Sequence, residues 1–319
     1  MKKIVNDLRI MLKVCDMYYK QDLNQEEIAQ RLGLSRPTIS RILKNARADG
    51  LVQIDVVPPP DISFFELERS IEHQYGLKDV IIVKENPSLE MQKREVGRAA
   101  AHYLMRIVKN NNIIGVSMGT TLTHIAPFMT SDIGSNLTFI PLVGGIGQVG
   151  MEVHCNQIVA DLARASHSKF MLMHAPAMVS DQRIKENLMQ DAYISKVLKM
   201  TKKLDVALVG IGVPTNESTV MATGYYNEED MRELRKNHVA GDVCLHFYDI
   251  NGNTDHFEVN HNVCGMDITH LHHTPYSIGV VTGVSKINAI IGAINGRYIN
   301  VLITDADCAR QLYENKNKQ

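Results

Sequence analysis

Between Asn24 and Val57 the apolar positions of this chain fall into three successive rhythms. Ile28, Ala29 and Leu32 share one helical face. Ile39, Ile42, Leu43 and Ala46 share a second, at spacings of three and four, and Val52, Ile54 and Val56 then alternate. The pattern predicts a helix, a tight turn, a second helix and a wing-like strand from Leu51 to Val57. The punctuation agrees. Asn24 with Glu27 makes a capping-box pair, Gly33 gives the backbone freedom a sharp turn needs, and Ser35 stands at the N-cap of the second helix. Pro37 is tolerated in that helix's first turn, and Gly50 closes it. Upstream, Ile4 to Tyr19 reads as an amphipathic helix, with Leu8, Met11, Leu12, Cys15 and Tyr19 expected to pack beneath the other two.

Beyond the strand, Pro58-Pro59-Pro60 can neither extend a ladder nor start a helix interior, so the sequence predicts a stiff spacer and a domain boundary. The expected division is a head at 1–57, a linker at 58–61 and a body at 62–319. In the body the rhythm changes. A helix capped by Asp61 or Ser63 runs to about Tyr75, and a long one covers Leu89 to Asn110. Wholly apolar segments are predicted as strands at Asp79–Val83, Ile113–Val116, Phe139–Val143, Asp205–Val209, Ser277–Val281 and Val301–Ile303. Buried strands alternating with helices indicate an α/β fold, a doubly wound parallel sheet covered on both faces.

Charge refines the picture of the head. From Ser35 to Ala48 there are four basic residues and no acidic one. Residues 1–57 hold ten Lys/Arg against seven Asp/Glu, a surplus of three in a chain of net charge −1, which leaves the remainder at −4. The outward residues of the second helix are Arg36, Thr38, Ser40, Arg41, Lys44 and Arg47. Cations pair with phosphates, and the N-terminal residues of such a helix meet base edges in a helix-turn-helix, so DNA is the expected partner. Five cysteines without any C-x-x-C point to free thiols, and no run is long and apolar enough for a spanning helix. A cytoplasmic protein is expected.

In open α/β sheets ligands bind beyond the carboxyl ends of the strands. Four such loops are rich in small residues: Ser117-Met118-Gly119-Thr120-Thr121, Gly144-Gly145-Ile146-Gly147, Gly210-Ile211-Gly212 and Thr282-Gly283-Val284-Ser285-Lys286. Backbone amides, hydroxyls and the Lys286 ammonium suit a phosphate. Gly145 to Gly150 fits G-x-G-x-x-G, yet no acidic residue some twenty positions on completes a dinucleotide site. His270-Leu271-His272-His273 is crowded with imidazoles, but neighbours on one segment cannot all converge on a metal. Asp305 and Asp307 read as a solvated strand end, and Met171, Met173 and His174 as core filling. Asp249 and Gln157 are polar candidates for a sugar hydroxyl. No cofactor, metal or catalytic set is indicated.

The head, the proline spacer and the segments VSMGTT, PLVGGIG and GVSKINAI together resemble the SorC (SorC/DeoR) family of bacterial transcriptional regulators. The resemblance covers nearly the whole chain. It implies a body related to glucosamine-6-phosphate deaminase and ribose-5-phosphate isomerase, a homo-oligomer (dimer or tetramer), and a repressor of a carbohydrate operon released by a phosphorylated sugar. It further implies that Gly119, Thr120 and Thr121 hold the phosphate, that Ser285 and Lys286 add contacts, and that Gly144 and Gly145 line the pocket. Gln157 and Asp249 would meet the sugar. Some members carry a lysine before the paired glycines that can form a Schiff base. Val143 stands there in this chain, which implies a non-covalent effector. The alternative is a sugar-phosphate isomerase or deaminase bearing a DNA-binding head, although no loop presents the acid–base set it would need.

Overall fold

The computed structural model describes residues 5, 7–54, 59, 64–145, 153–215, 224 and 226–316. It divides into two compact units, 1–63 and 64–319. The proline spacer lies outside the described residues apart from Pro59.

In the first unit α1 (Leu8–Tyr19), α2 (Gln25–Leu32) and α3 (Arg36–Ala48) enclose a small core. Asn24 accepts from the Glu27 amide at 3.1 Å while the Glu27 carboxylate accepts from the Asn24 amide at 2.8 Å, closing the capping box. Gly33 then turns the chain with φ of 65°, in the left-handed region that favours glycine. The core holds Met11, Val14 and Cys15 from α1, Ile28 and Ala29 from α2, and Ile39, Ile42, Leu43 and Ala46 from α3. Leu8 and Leu12, expected beneath the other helices, stay outside it. They lie four residues apart on a side of α1 adjoining the Met11–Val14–Cys15 side, and the head is too small to cover both. The expected strand is absent over Leu51–Ile54, and Asp55, Val56 and Val57 lie outside the described residues.

The second unit is built on a parallel sheet of seven strands: β1 (Asp79–Val83), β2 (Ile113–Val116), β3 (Thr138–Pro141), β4 (Lys169–Phe170), β5 (Val206–Gly210), β8 (Tyr276–Val280) and β9 (Val301–Asp305). Their order is β1-β9-β8-β5-β2-β3-β4. A separate antiparallel hairpin pairs β6 (Gly241–Val243) with β7 (His246–Tyr248). Alternate strand residues feed the two faces. Val80, Ala207, Val209 and Leu302 join α4 (Phe65–Tyr75), α8 (Ala192–Thr201), α10 (Ile287–Asn295) and α11 (Ala306–Lys316). Ile114, Val116, Val206, Leu208, Ile278 and Ile303 join α5 (Leu89–Ile107) and α6 (Cys155–Ala165). Each fully buried aliphatic side chain contributes about 1.5–3 kcal/mol, so two continuous apolar layers carry the fold.

From β2 the chain moves outward through β3 to β4, then returns to β5 on the other side of β2 and proceeds through β8 to β9. The connections therefore leave β2 and β5 in opposite directions. This topological switch point opens a crevice beyond their carboxyl ends.

Candidate functional site

The crevice holds a cavity of about 390 Å³. Its wall includes the loop from Ser117 to Leu122 after β2, Gly210 to Val213 after β5, and Thr282, Gly283, Ser285 and Lys286 after β8. Five of the predicted effector residues, Gly119, Thr120, Thr121, Ser285 and Lys286, therefore meet in one place. After the VSMGTT loop the chain makes two short 3-10 turns, Leu122–His124 and Ala126–Phe128, with Pro127 in the second.

The lysine loop is held from behind. Gly283 adopts a φ of 97°, which disfavours any side chain, and its amide donates to Asp305 Oδ2 at 2.8 Å. Asp305 Oδ1 accepts from the Cys308 amide, also at 2.8 Å. Asp305 is thus buried and committed, contrary to the expected solvated strand end, because it ties β9 to the GVSK loop and to α11. Asp307 does remain exposed, paired with Arg310 at 3.0 Å.

Four expected residues do not line the cavity. A Cβ on Gly144 would lie 2.1 Å from the Pro176 carbonyl oxygen, and one on Gly145 2.5 Å from Asn156 Nδ2, so both glycines serve close packing. Ile146 and Gly147 lie outside the described residues. Gln157 donates to Asp161 Oδ1 at 2.8 Å, one turn along α6. Asp249 accepts from the Asn251 and Asn253 amides at 2.9 Å each, organising its own turn. Val143 is fully buried, His270 Nδ1 meets Thr201 Oγ1 at 3.1 Å, and His272 stacks on Tyr298.

Asp242, Cys244 and Lys93 are pocket residues that the sequence did not reveal, and Ser117, from the expected loop after β2, joins them. Asp242 sits on β6, whose connection to β7 is the two-residue turn Cys244-Leu245 with φ of 52° and 62°. Hairpin turns of this hand favour Asn-Gly, so side chains here store strain beside the cavity. The Gly212 amide donates to the Asp242 carbonyl at 2.9 Å and the Asp242 amide to the Gly212 carbonyl at 3.1 Å, bringing the hairpin against β5's loop. Among the described residues Asp242 Oδ1 has no hydrogen-bond partner.

Burial pushes the Asp242 carboxyl up to about 6, opposed by the Lys286 charge and the Leu245 amide. Burial likewise pulls Lys286 below the usual lysine range, opposed first by Asp242. An acid whose folded pKa is raised holds its proton more tightly when folded than when unfolded. Its contribution to stability therefore falls as pH rises from about 4, the unfolded value, to about 6. Asp242→Asn is expected to remove that decline and to melt above the parent protein at pH 7. Thermal melts at pH 4, 5, 6 and 7 check this; parallel pH profiles would contradict it.

A larger hollow of about 570 Å³ lies among α7 (Gln182–Met189), α8 and the segment 254–270. None of its lining comes from the carboxyl end of a strand in the seven-stranded sheet, so the smaller cavity is the better ligand site.

On the head, Arg36, Ser40, Arg41, Lys44 and Arg47 are exposed along α3 and Thr38 is half-buried, its hydroxyl 2.8 Å from Ser35 Oγ. Arg47 Nε donates to the Tyr19 hydroxyl at 2.9 Å, which draws it toward α1. Arg41 and Lys44 stand near the middle of a helix without an acidic residue. Arg41→Ala is expected to weaken binding to every duplex alike, with the salt dependence shallower by about one phosphate contact. Unchanged affinity for all duplexes in a salt titration would remove Arg41 from the interface.

A basic helix-turn-helix joined to an α/β body with a cavity at its switch point defines a ligand-controlled transcriptional regulator. Comparison with known proteins agrees. Residues 61–314 match a sugar-binding domain family, and residues 13–49 match sigma-70 region 4. The chain is 31% identical to the sorbitol operon regulator of Klebsiella pneumoniae, across 96% of this chain and 98% of that one. It is also 31% identical to the deoxyribonucleoside regulator of Bacillus subtilis, across 95% and 97%. The crystal structure of full-length SorC from Klebsiella pneumoniae superposes with a TM-score of 0.74, covering 97% of this chain and 99% of that one. The chain belongs to the SorC family of transcriptional regulators.

Proposed function

We propose that residues 1–57 bind operator DNA and residues 62–319 hold a phosphorylated sugar non-covalently, the two activities being linked in a homo-oligomeric repressor of a carbohydrate operon. The observation that carries this reading is the convergence of Lys286, Ser285, Thr120 and Thr121 on one cavity at the switch point. Hydroxyls, glycine-bounded loops and a half-buried ammonium are what a phosphate needs. The Asp242 carboxylate, with one uncommitted oxygen, suits a sugar hydroxyl. Gly119 shapes the phosphate loop. Arg41 and Lys44 position the head on the backbone, with Arg36, Thr38 and Ser40 toward the bases. A single head binds weakly, so linked heads supply useful affinity. The named regulators that this chain resembles act on sorbitol and deoxyribonucleoside systems, which favours a carbohydrate effector over a nucleotide. Thermal melting tests the body. A phosphosugar at a hundred times its Kd raises stability by about 2.7 kcal/mol, while its unphosphorylated form does not. Equal shifts from both would remove the phosphate from the account.

A further inference from the structure

The larger hollow, of about 570 Å³, has a wall of a different kind. Its described lining carries three lysines, Lys185 on α7, Lys199 on α8 and Lys202 directly after α8, against two carboxylates, Asp255 and Asp267. Among the described residues none of these lysines forms an ion pair. Lys185 is half-buried, and its ammonium donates to the His261 carbonyl at 2.8 Å. Burial holds it below the usual lysine range. A partly desolvated ammonium of this kind gains from an anion brought beside it.

Two imidazoles add acceptors to the wall. His246 Nδ1 lies 3.0 Å from the Cys244 carbonyl, which can only accept, so Nδ1 carries the proton and Nε2 is left an acceptor. The Thr201 hydroxyl donates to the Leu198 carbonyl at 2.7 Å and therefore accepts from His270 Nδ1 at 3.1 Å, which leaves the second Nε2 an acceptor too. Burial keeps both rings neutral at pH 7, pulling His246 down to about 4. Ammonium groups call for an anion, and neutral imidazole acceptors call for hydroxyl donors. The strand-to-helix loops whose amides suit a phosphate form no part of this described wall, which favours a carboxylate.

The β6–β7 hairpin joins the two cavities. Asp242, Cys244 and Leu245 line the smaller one, and His246, the next residue, lines the larger. Asn260, also in the larger wall, holds β7 by accepting from the Phe247 amide at 2.8 Å and donating to the Phe247 carbonyl at 2.9 Å. We propose that the larger hollow is a second ligand site, that it takes a small hydroxycarboxylate such as a sugar acid, and that its occupancy stiffens the hairpin beside the switch-point cavity. The site does not depend on the phosphosugar reading.

The experiment is calorimetric titration of the full-length protein at pH 7.5 with gluconate, glucuronate and malate, and with acetate as the carboxylate that lacks a hydroxyl. At least one hydroxycarboxylate is expected to bind roughly tenfold or more tighter than acetate. Its affinity is expected to fall at least roughly tenfold in Lys185→Met and to stay unchanged in Lys286→Met. Lys199→Met, at an exposed position, is expected to weaken binding several-fold and serves where Lys185→Met does not fold. Hydrogen exchange over residues 241–248 is expected to slow when the same probe is bound. Binding lost in Lys286→Met and kept in Lys185→Met would place the anion in the smaller cavity and overturn the second site. Failure of every hydroxycarboxylate, with the protein folded by circular dichroism, would overturn it as well. Binding without slower exchange over 241–248 would overturn the part given to the hairpin.

Discussion

Lys286→Met is expected to abolish the response to the effector while leaving operator binding by the free protein intact. Lys286 is half-buried at the cavity wall, where Asp242, another lining residue, acts on it as an attractive charge. Removing it would delete the charge-assisted hydrogen bond proposed for the effector phosphate, at a cost of at least about 2 kcal/mol, or roughly thirtyfold in affinity. It also leaves Asp242 without its nearby cation, which raises that carboxyl further. Methionine keeps the length of the stem, so packing around the GVSK loop changes little. Head contacts are in the other unit, and DNA affinity without effector is expected to stay within about twofold of the parent, a difference of about 0.4 kcal/mol. Calorimetry with the best phosphosugar and a parallel DNA titration separate the two effects. A normal effector affinity would displace Lys286 from the phosphate site.

Gly144→Ala is expected to damage the fold. A Cβ there would lie 2.1 Å from the Pro176 carbonyl oxygen, 2.6 Å from its carbon and 2.7 Å from the Ala175 carbonyl oxygen. All three are backbone atoms, which cannot swing aside as a side-chain end would. The Gly144 amide also donates to the Cys264 carbonyl at 2.7 Å, pinning it between two segments. Overpacking of this kind costs about 3 kcal/mol or more, and a body of this size would melt about 6–12 °C lower. If Gly144 instead contacted the effector, the variant would melt normally and bind ligand poorly. Melting curves and effector titrations on the same preparation therefore separate packing from ligand contact at this glycine.

Gly144 also illustrates how far the sequence could be read. Glycines after a strand serve ligands and close packing alike, and only the position of Pro176 decides between the two. The cavity loops were legible because local pattern placed them: an apolar strand, then small or hydroxylated residues, then a helical turn. The head was legible for the same reason, its caps and stripes all lying within some thirty residues. Asp242 was not. It depends on a hairpin whose strands are three residues long, whose turn is Cys-Leu in place of Asn-Gly, and whose position is set by a bridge to Gly212 thirty residues away. Asp249 and Gln157 misled because their polar groups looked available in sequence, whereas Asn253 and Asp161 engage them locally. On α1 the periodicity gave the helix but not which of two adjoining stripes faces the core.

The sheet order explains why the site lies where it does. Strands β2 and β5 are neighbours with opposing connections, so a crevice at their ends follows from topology alone. In the proposed homo-oligomer, an effector bound there would act on the heads by favouring one arrangement of the subunits over another, because equal affinity for both would shift nothing.

The central claim, that occupancy of this cavity sets affinity for DNA, is tested most directly by fluorescence anisotropy. A labelled duplex from upstream of the neighbouring operon is titrated with the full-length protein, with and without each phosphosugar. The account predicts at least a tenfold change in Kd with one phosphosugar, about 1.4 kcal/mol, no change with its unphosphorylated form, and no change in Lys286→Met. Tight, specific DNA binding that no phosphorylated sugar alters would contradict it.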